Sequence, residues 1–228
     1  MRSPVRAWPP SGPSARPGES GVTAAQALDF GSVFVFALTG ALTASRAQLD
    51  IVGFLFIACL TAVGGGTLRD VILDRTPVFW VGNAAYVGVA CLAAILVFFA
   101  APHIESRYRA ILWLDALALA VAVPAGVLVA WNEGATPPIA VIMGVATGCF
   151  GGLMRDVVCN ELPLVLRQGE LYVTAAFAGA LSAAAVFAAL GTVSAALIAC
   201  GGVTLALRAG SIAFVWRLPD YKSRPPRR

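Results

Sequence analysis

Gly64-Gly65-Gly66-Thr67-Leu68-Arg69-Asp70 and its later echo, Gly151-Gly152-Leu153-Met154-Arg155-Asp156, decide how this 228-residue chain is read. Each stretch lies in or at the end of an apolar run long enough to cross a bilayer. Each places helix-weakening glycines, then an Arg-Asp pair, where lipid penalises both. Irregular backbone at membrane depth survives only where protein buries it or water lines it. The two stretches are therefore expected to break their helices at the glycines and to form the halves of one permeation site.

Composition sets the class around them. Hydrophobic residues make up 59% of the chain and charged residues 12%, against roughly a quarter charged in a soluble domain. Mean hydropathy is +0.82. The apolar residues run continuously, without the alternation of a membrane barrel, so the expected class is an all-α membrane protein. Cys59, Cys91, Cys149, Cys159 and Cys200 lie in apolar runs without a C-x-x-C pair, and His103 is the only histidine. Free buried thiols are expected, with no metal site and no disulfide framework. The net charge of +4 sits in tails and loops, as membrane orientation produces, so no nucleic-acid partner is expected. G-x-S-x-G, H-E-x-x-H and phosphate-loop patterns are absent from the sequence, so neither an enzyme nor a cofactor is expected.

In chain order, residues 1–27 are rich in Pro, Ser, Gly and Arg with no apolar stretch, which reads as a disordered tail and not a signal peptide. Seven membrane helices follow, near 29–44, 51–73, 84–101, 111–131, 137–159, 171–190 and 192–216. The second is expected to break at its glycine triplet. The fifth, opened by Pro137-Pro138, is expected to break at Gly151-Gly152. A basic tail covers 220–228.

A shift of 86 positions aligns the first three helices with the next three without a gap. It carries Asp29 onto Asp115, Gly40 onto Gly126, Thr61 onto Thr147 and Gly65-Gly66 onto Gly151-Gly152. Arg69-Asp70 falls on Arg155-Asp156, Pro77 on Pro163 and Tyr86 on Tyr172. Matched charges and prolines in one register mark a duplication. A three-helix unit crosses the membrane an odd number of times, so the second copy must enter from the opposite face. The expected fold is two inverted three-helix repeats (28–101 and 114–190) plus a seventh helix (192–217), within a channel domain spanning 28–219. Lys and Arg number four on the amino-terminal side and nine on the other, once Arg69, Arg155 and Arg208 are set aside as intramembrane. The positive-inside rule then puts the amino terminus outside and the carboxyl terminus in the cytoplasm of a plasma (inner) membrane protein.

The residue types point to a polar pathway, each beside a structural alternative. Glycines serve either close helix packing or a kink, and the adjoining Arg-Asp favours the kink. Arg69 and Arg155 are either gates and braces or snorkelling side chains near a helix end. Asp70 and Asp156 do not face their neighbouring arginines on a helix, so each is expected to seek a partner elsewhere, such as the opposite repeat's Arg. Asp29 reads as a helix cap or, with Asp115, as a pore carboxylate attracting cations. Thr39, Thr61, Thr67 and Thr147 offer hydroxyls to an ion or bond back to their own helices. Trp80, Trp113, Trp131 and Trp216 are expected in headgroup belts.

Gly64 through Asp70 followed by Arg75-Thr76-Pro77-Val78-Phe79-Trp80 resembles the first-repeat signature of the prokaryotic trimeric intracellular cation channels. Gly151-Gly152-x-x-Arg155-Asp156 with Glu161-Leu162-Pro163-Leu164-Val165-Leu166-Arg167 resembles the second, and Arg208 through Pro219 resembles that family's last helix. The resemblance implies a homotrimer with a potassium-permeable pore in each subunit, built around the second and fifth helices at Gly64, Gly65, Gly66, Gly151 and Gly152. Arg69, Asp70, Arg155 and Asp156 stand beside those positions. Phe150 departs from it, standing where a third glycine is expected, and Val129 takes the place of a lysine found in many relatives. The family has also been labelled a glycine transporter. The expectation is a passive cation channel in contact with membrane lipids. A secondary transporter for a small amino acid such as glycine is the alternative, and an assembly protein without an open path is the third reading.

Overall fold

The computed structural model describes residues 23–104, 106–167 and 170–217, and the regular structure among them is helical throughout. Eight helices follow in order: α1 (Ala24–Arg46), α2 (Ile51–Ile72), the short α3 (Phe79–Gly82), α4 (Ala85–Ala100), α5 (Arg107–Asn132), α6 (Pro137–Val158), α7 (Tyr172–Leu190) and α8 (Val193–Phe214). All but α3 are apolar and long enough to cross a bilayer, α4 with the turn Ala101–His103 that follows it. Such a crossing takes about 20 residues. Residues 1–22 of the expected amino-terminal tail and the whole of the expected basic tail, 220–228, lie outside the described residues.

The first helix begins inside the stretch read as tail. Thr23 closes a capping box with Gln26: Thr23 N donates to Gln26 Oε1 at 2.9 Å and Gln26 N to Thr23 Oγ1 at 3.3 Å, satisfying two donors that a helix start leaves open. Asp29 is therefore well inside α1, and the cap reading for it is excluded.

The expected breaks are also absent. Both α2 and α6 run for 22 residues straight through their glycines. Lipid offers no replacement for a lost backbone hydrogen bond, so a glycine run whose bare face is covered by another helix keeps its ladder.

That covering helix is the opposite repeat's. A Cβ on Gly65 would drive into the Thr147 carbonyl oxygen, and one on Gly151 into that of Thr61. Gly65 meets a residue before Gly151, while Gly151 meets one before Gly65. The helices therefore cross antiparallel, near the middle of each. This is the packing signature of inverted repeats, and it follows from glycine's lack of a side chain at the closest approach. The duplication extends to the turns. Asp74 and Asn160, 86 positions apart, both adopt φ 54°, while Gln48 and Gly134, similarly spaced, adopt 55° and 74°.

The most buried spans are α1 and α5, which pack on each other. Around them, α1 carries α2 and α4, and α5 carries α6 and α7; α8 lies on α7 and α5. Small residues make this possible: Ala37, Ala41, Ala44, Ala58, Ala90, Ala93 and Ala94 are fully buried in the first repeat's core. A second close approach is repeated as well. Cβ atoms on Gly40 and Gly126 would lie 2.7 Å from Thr61 Oγ1 and 2.5 Å from Thr147 Oγ1. Trp131 departs from the headgroup expectation: it is only 4% exposed, with its ring 5.1 Å from that of Phe187.

Candidate functional site

Each repeat builds one charged cluster, where the last turns of α2 or α6 meet the start of α1 or α5. In the first, Arg69 Nη1 and Nη2 donate to Asp29 Oδ1 and Oδ2 at 2.8 and 3.4 Å, and Arg69 Nε donates to Asp70 Oδ1 at 2.8 Å. In the second, Arg155 Nη1 donates to Asp115 Oδ1 at 2.8 Å and Nε to Asp156 Oδ1 at 2.7 Å. Arg69 is 0% and Arg155 1% exposed, so neither snorkels. Both expectations about Asp70 and Asp156 are corrected. The long arginine side chain folds back to its immediate neighbour, and the second carboxylate comes from the same repeat, 40 positions earlier. Because the helices are antiparallel, the clusters stand at opposite ends of the crossing and form separate stations.

The outer carboxylate oxygens tie down the chain leaving each helix. Asp70 Oδ2 accepts from Phe79 N, and Asp156 Oδ2 from Leu164 N, each at 2.9 Å. A buried ion pair of this kind is costly to break from one side, about 3–5 kcal/mol, because the abandoned charge stays out of water. Two carboxylates around one guanidinium leave each cluster acidic. In the first, Arg75 Nη1 restores balance at 3.0 Å from Asp70 Oδ1. The matching position in the second is Glu161, and Asp115 Oδ2 has no hydrogen-bond partner among the described residues.

The threonines bond to their own helices: Thr39 to the Phe36 carbonyl at 2.8 Å, Thr61 to Ile57 at 2.6 Å, Thr67 to Val63 at 2.7 Å and Thr147 to Met143 at 2.7 Å. A hydroxyl so engaged still has lone pairs free, and Thr67 Oγ1 uses one to accept from Trp80 Nε1 at 2.9 Å. The remaining glycines fit rings and side chains. Gly64 receives the Met154 methyl, Gly66 the edge of Phe79 and Gly152 the Tyr172 hydroxyl. Phe150 is exposed, so the missing third glycine costs the crossing nothing.

Sequence reasoning passed over Tyr86, Tyr172, Arg75, Glu170 and Arg208 as site residues. Tyr86 and Tyr172 had a signal in their matched positions, and Arg208 in its place inside an apolar run. Tyr86 stacks on Phe30 with centroids 3.9 Å apart, whereas Tyr172 lies 4.9 Å beneath the Arg208 guanidinium.

Comparison with known proteins fits this geometry. The family model described as Glycine transporter matches twice, at residues 26–102 and 112–189, once over each repeat. The UPF0126 inner membrane protein YadS of Escherichia coli (strain K12) is 38% identical over 199 residues, covering 85% of this chain and 94% of that protein. A UPF0126 membrane protein of Vibrio cholerae is 37% identical over 199 residues, covering 85% and 81%. Among solved structures, a TRIC trimeric intracellular cation channel orthologue from Rhodobacter sphaeroides superposes with a TM-score of 0.81 at 43% identity, covering 84% of this chain and 98% of that one. A structure described in terms of conductance through TRIC cation channels gives 0.78 at 27% identity, covering 89% and 100%.

Proposed function

The chain belongs to the trimeric intracellular cation (TRIC) channel family, and on that premise we propose that it is a potassium-permeable channel, a homotrimer with one cation pathway in each subunit. The observation that carries this reading is the antiparallel crossing of α2 and α6 at Gly65 and Gly151, with an arginine-braced pair of aspartates at either end. A cation is drawn first to the carboxylates of Asp29 and Asp70. Its route then runs along the crossing of Gly64, Gly65 and Gly66 with Gly151 and Gly152, which must part to let it through because not even a methyl fits between the helices as they stand, and it leaves by Asp115 and Asp156. Carbonyl and hydroxyl oxygens, including those of Thr39, Thr67 and Thr147, replace part of the ion's hydration. Arg69 and Arg155 brace the stations and exclude anions. The positive-inside count places the first station at the outer face of the inner membrane and the second at the cytoplasmic face, with exposed apolar side chains of α4, α7 and α8 toward lipid or neighbouring subunits.

A carrier for glycine needs a guanidinium edge free to hold a substrate carboxylate. At the crossing Arg69 commits all three nitrogens to Asp29 and Asp70, and the buried guanidinium edge left open among the described residues, that of Arg208, belongs to α8 and to neither crossing helix, which favours a channel. Purified protein in a planar bilayer under a potassium gradient is expected to show discrete unitary currents reversing near the potassium potential. Electrical silence with saturable counterflow of glycine would move the assignment to a carrier.

A further inference from the structure

The second station carries an addition that the first lacks. Under the 86-position shift, Phe30 corresponds to Ala116. Phe30 covers the Tyr86 ring; the methyl of Ala116 is too short to cover Tyr172. The guanidinium of Arg208, from the helix outside the repeat, takes that place, 4.9 Å from the ring centroid. Arg208 is 0% exposed, and one of its nitrogens, Nη1, reaches Glu170 Oε2 at 3.3 Å. The other two, Nε and Nη2, form one edge of the planar fork, the edge that receives a carboxylate bidentately. Both are buried and without a hydrogen-bond partner among the described residues. So is Asp115 Oδ2, with the Tyr172 hydroxyl standing beside the same carboxylate.

These orphaned groups gather around one ring. A Cβ on Gly152 would lie 3.1 Å from Tyr172 Oη, 3.6 Å from Asp115 Oδ1 and 3.7 Å from Arg155 Nη2. The hydroxyl of Tyr172 therefore marks the Asp115–Arg155 pair, while the ring's face carries Arg208. Glu170 is the accessible end of the chain: its side chain is 27% exposed and lines a cavity of about 150 Å³ with Ser211 and Arg217. Unpaired buried donors and acceptors cost about 1–3 kcal/mol each, so a movement that joined the Arg208 fork to Asp115 Oδ2 would recover part of that cost.

We propose that Arg208 is the positioning residue that sets cation flow through the second station: held by Glu170 it leaves Asp115 Oδ2 open to a cation, and released from Glu170 it turns its free fork onto that oxygen and closes the station. The idea rests on the channel reading above, so its test has one arm that depends on current and one that does not. In single-channel recordings of the full-length protein, Glu170→Gln is expected to lower open probability several-fold. Arg208→Gln is expected to raise it, and the double variant to behave like Arg208→Gln alone. An effect of Glu170→Gln that persists undiminished without Arg208 overturns the proposal, while the wild-type currents still uphold the channel reading. Independently of any current, thermal unfolding of the same detergent-purified protein compares Glu170→Gln, Asp115→Asn and the pair. Groups joined through one mobile guanidinium should lower the midpoint together by at least about 2 °C more than the sum of the single shifts, about the shift that 1 kcal/mol produces in a protein of this size. Additive shifts overturn the exchange whether or not the wild type conducts.

Discussion

The two charged stations are the same design placed at opposite ends of one crossing, and they differ in how the surplus carboxylate is answered. Each has an arginine between two aspartates, a neighbour that bonds back along the helix and a backbone amide held by the outer oxygen. In the first station Arg75 closes the account and bridges on to Glu133 at 2.8 Å. The second has Glu161 in the matching position, pointing instead to Arg46 at 3.1 Å. The bridges linking the repeats are thus charge-swapped: basic on the first station's side, acidic on the second's. Duplication preserved the geometry while the charges around it diverged, leaving the second station the more acidic and under the influence of α8.

The comparison can be broken most sharply at the arginines. Arg155→Met strands Asp115 and Asp156 without a cation, with an expected loss of about 3–5 kcal/mol. Arg69→Met should lose visibly less, because Arg75 still answers Asp70. Thermal unfolding of both variants in detergent checks the order, and equal losses would mean that Arg75 does not compensate. The crossing should behave in the opposite way, symmetrically. Gly65→Ala and Gly151→Ala each press a methyl into a carbonyl oxygen, so each is expected to cost about 1–3 kcal/mol, with the two values matching. A difference larger than about 0.5 kcal/mol would show that the two faces of the crossing are not equivalent. Smallest is Thr67→Val, which removes the acceptor for Trp80 Nε1 and has no counterpart in the second repeat, where Leu153 stands. About 1 kcal/mol is expected, with a shift in tryptophan fluorescence. An unchanged emission maximum would remove that bond from consideration.

Particular residues show how far the sequence carried. The register of Asp29 on Asp115 and Arg69-Asp70 on Arg155-Asp156 pointed to repeats, and the odd number of helices in each forced inversion. The same residues were assigned the wrong partners. Helical spacing keeps adjacent Cβ atoms on different faces, yet an arginine has enough length and donors to bond its neighbour and a residue one helix away together. The glycines misled for a related reason. Their intrinsic cost argues for a break, but that cost is outweighed when bare backbone lets two helices touch.

Composition and periodicity alone determined the membrane class, the span count, the duplication and the location of the charges, because each is written in local hydropathy and in residue order. Only the tertiary structure decided that α2 and α6 stay continuous, that Arg69 and Arg155 each pair within their own repeat and that Arg208 covers Tyr172. Those outcomes depend on which faces of distant helices are bare enough to meet, and on which buried donors then find acceptors. Neither is settled until the helices have packed.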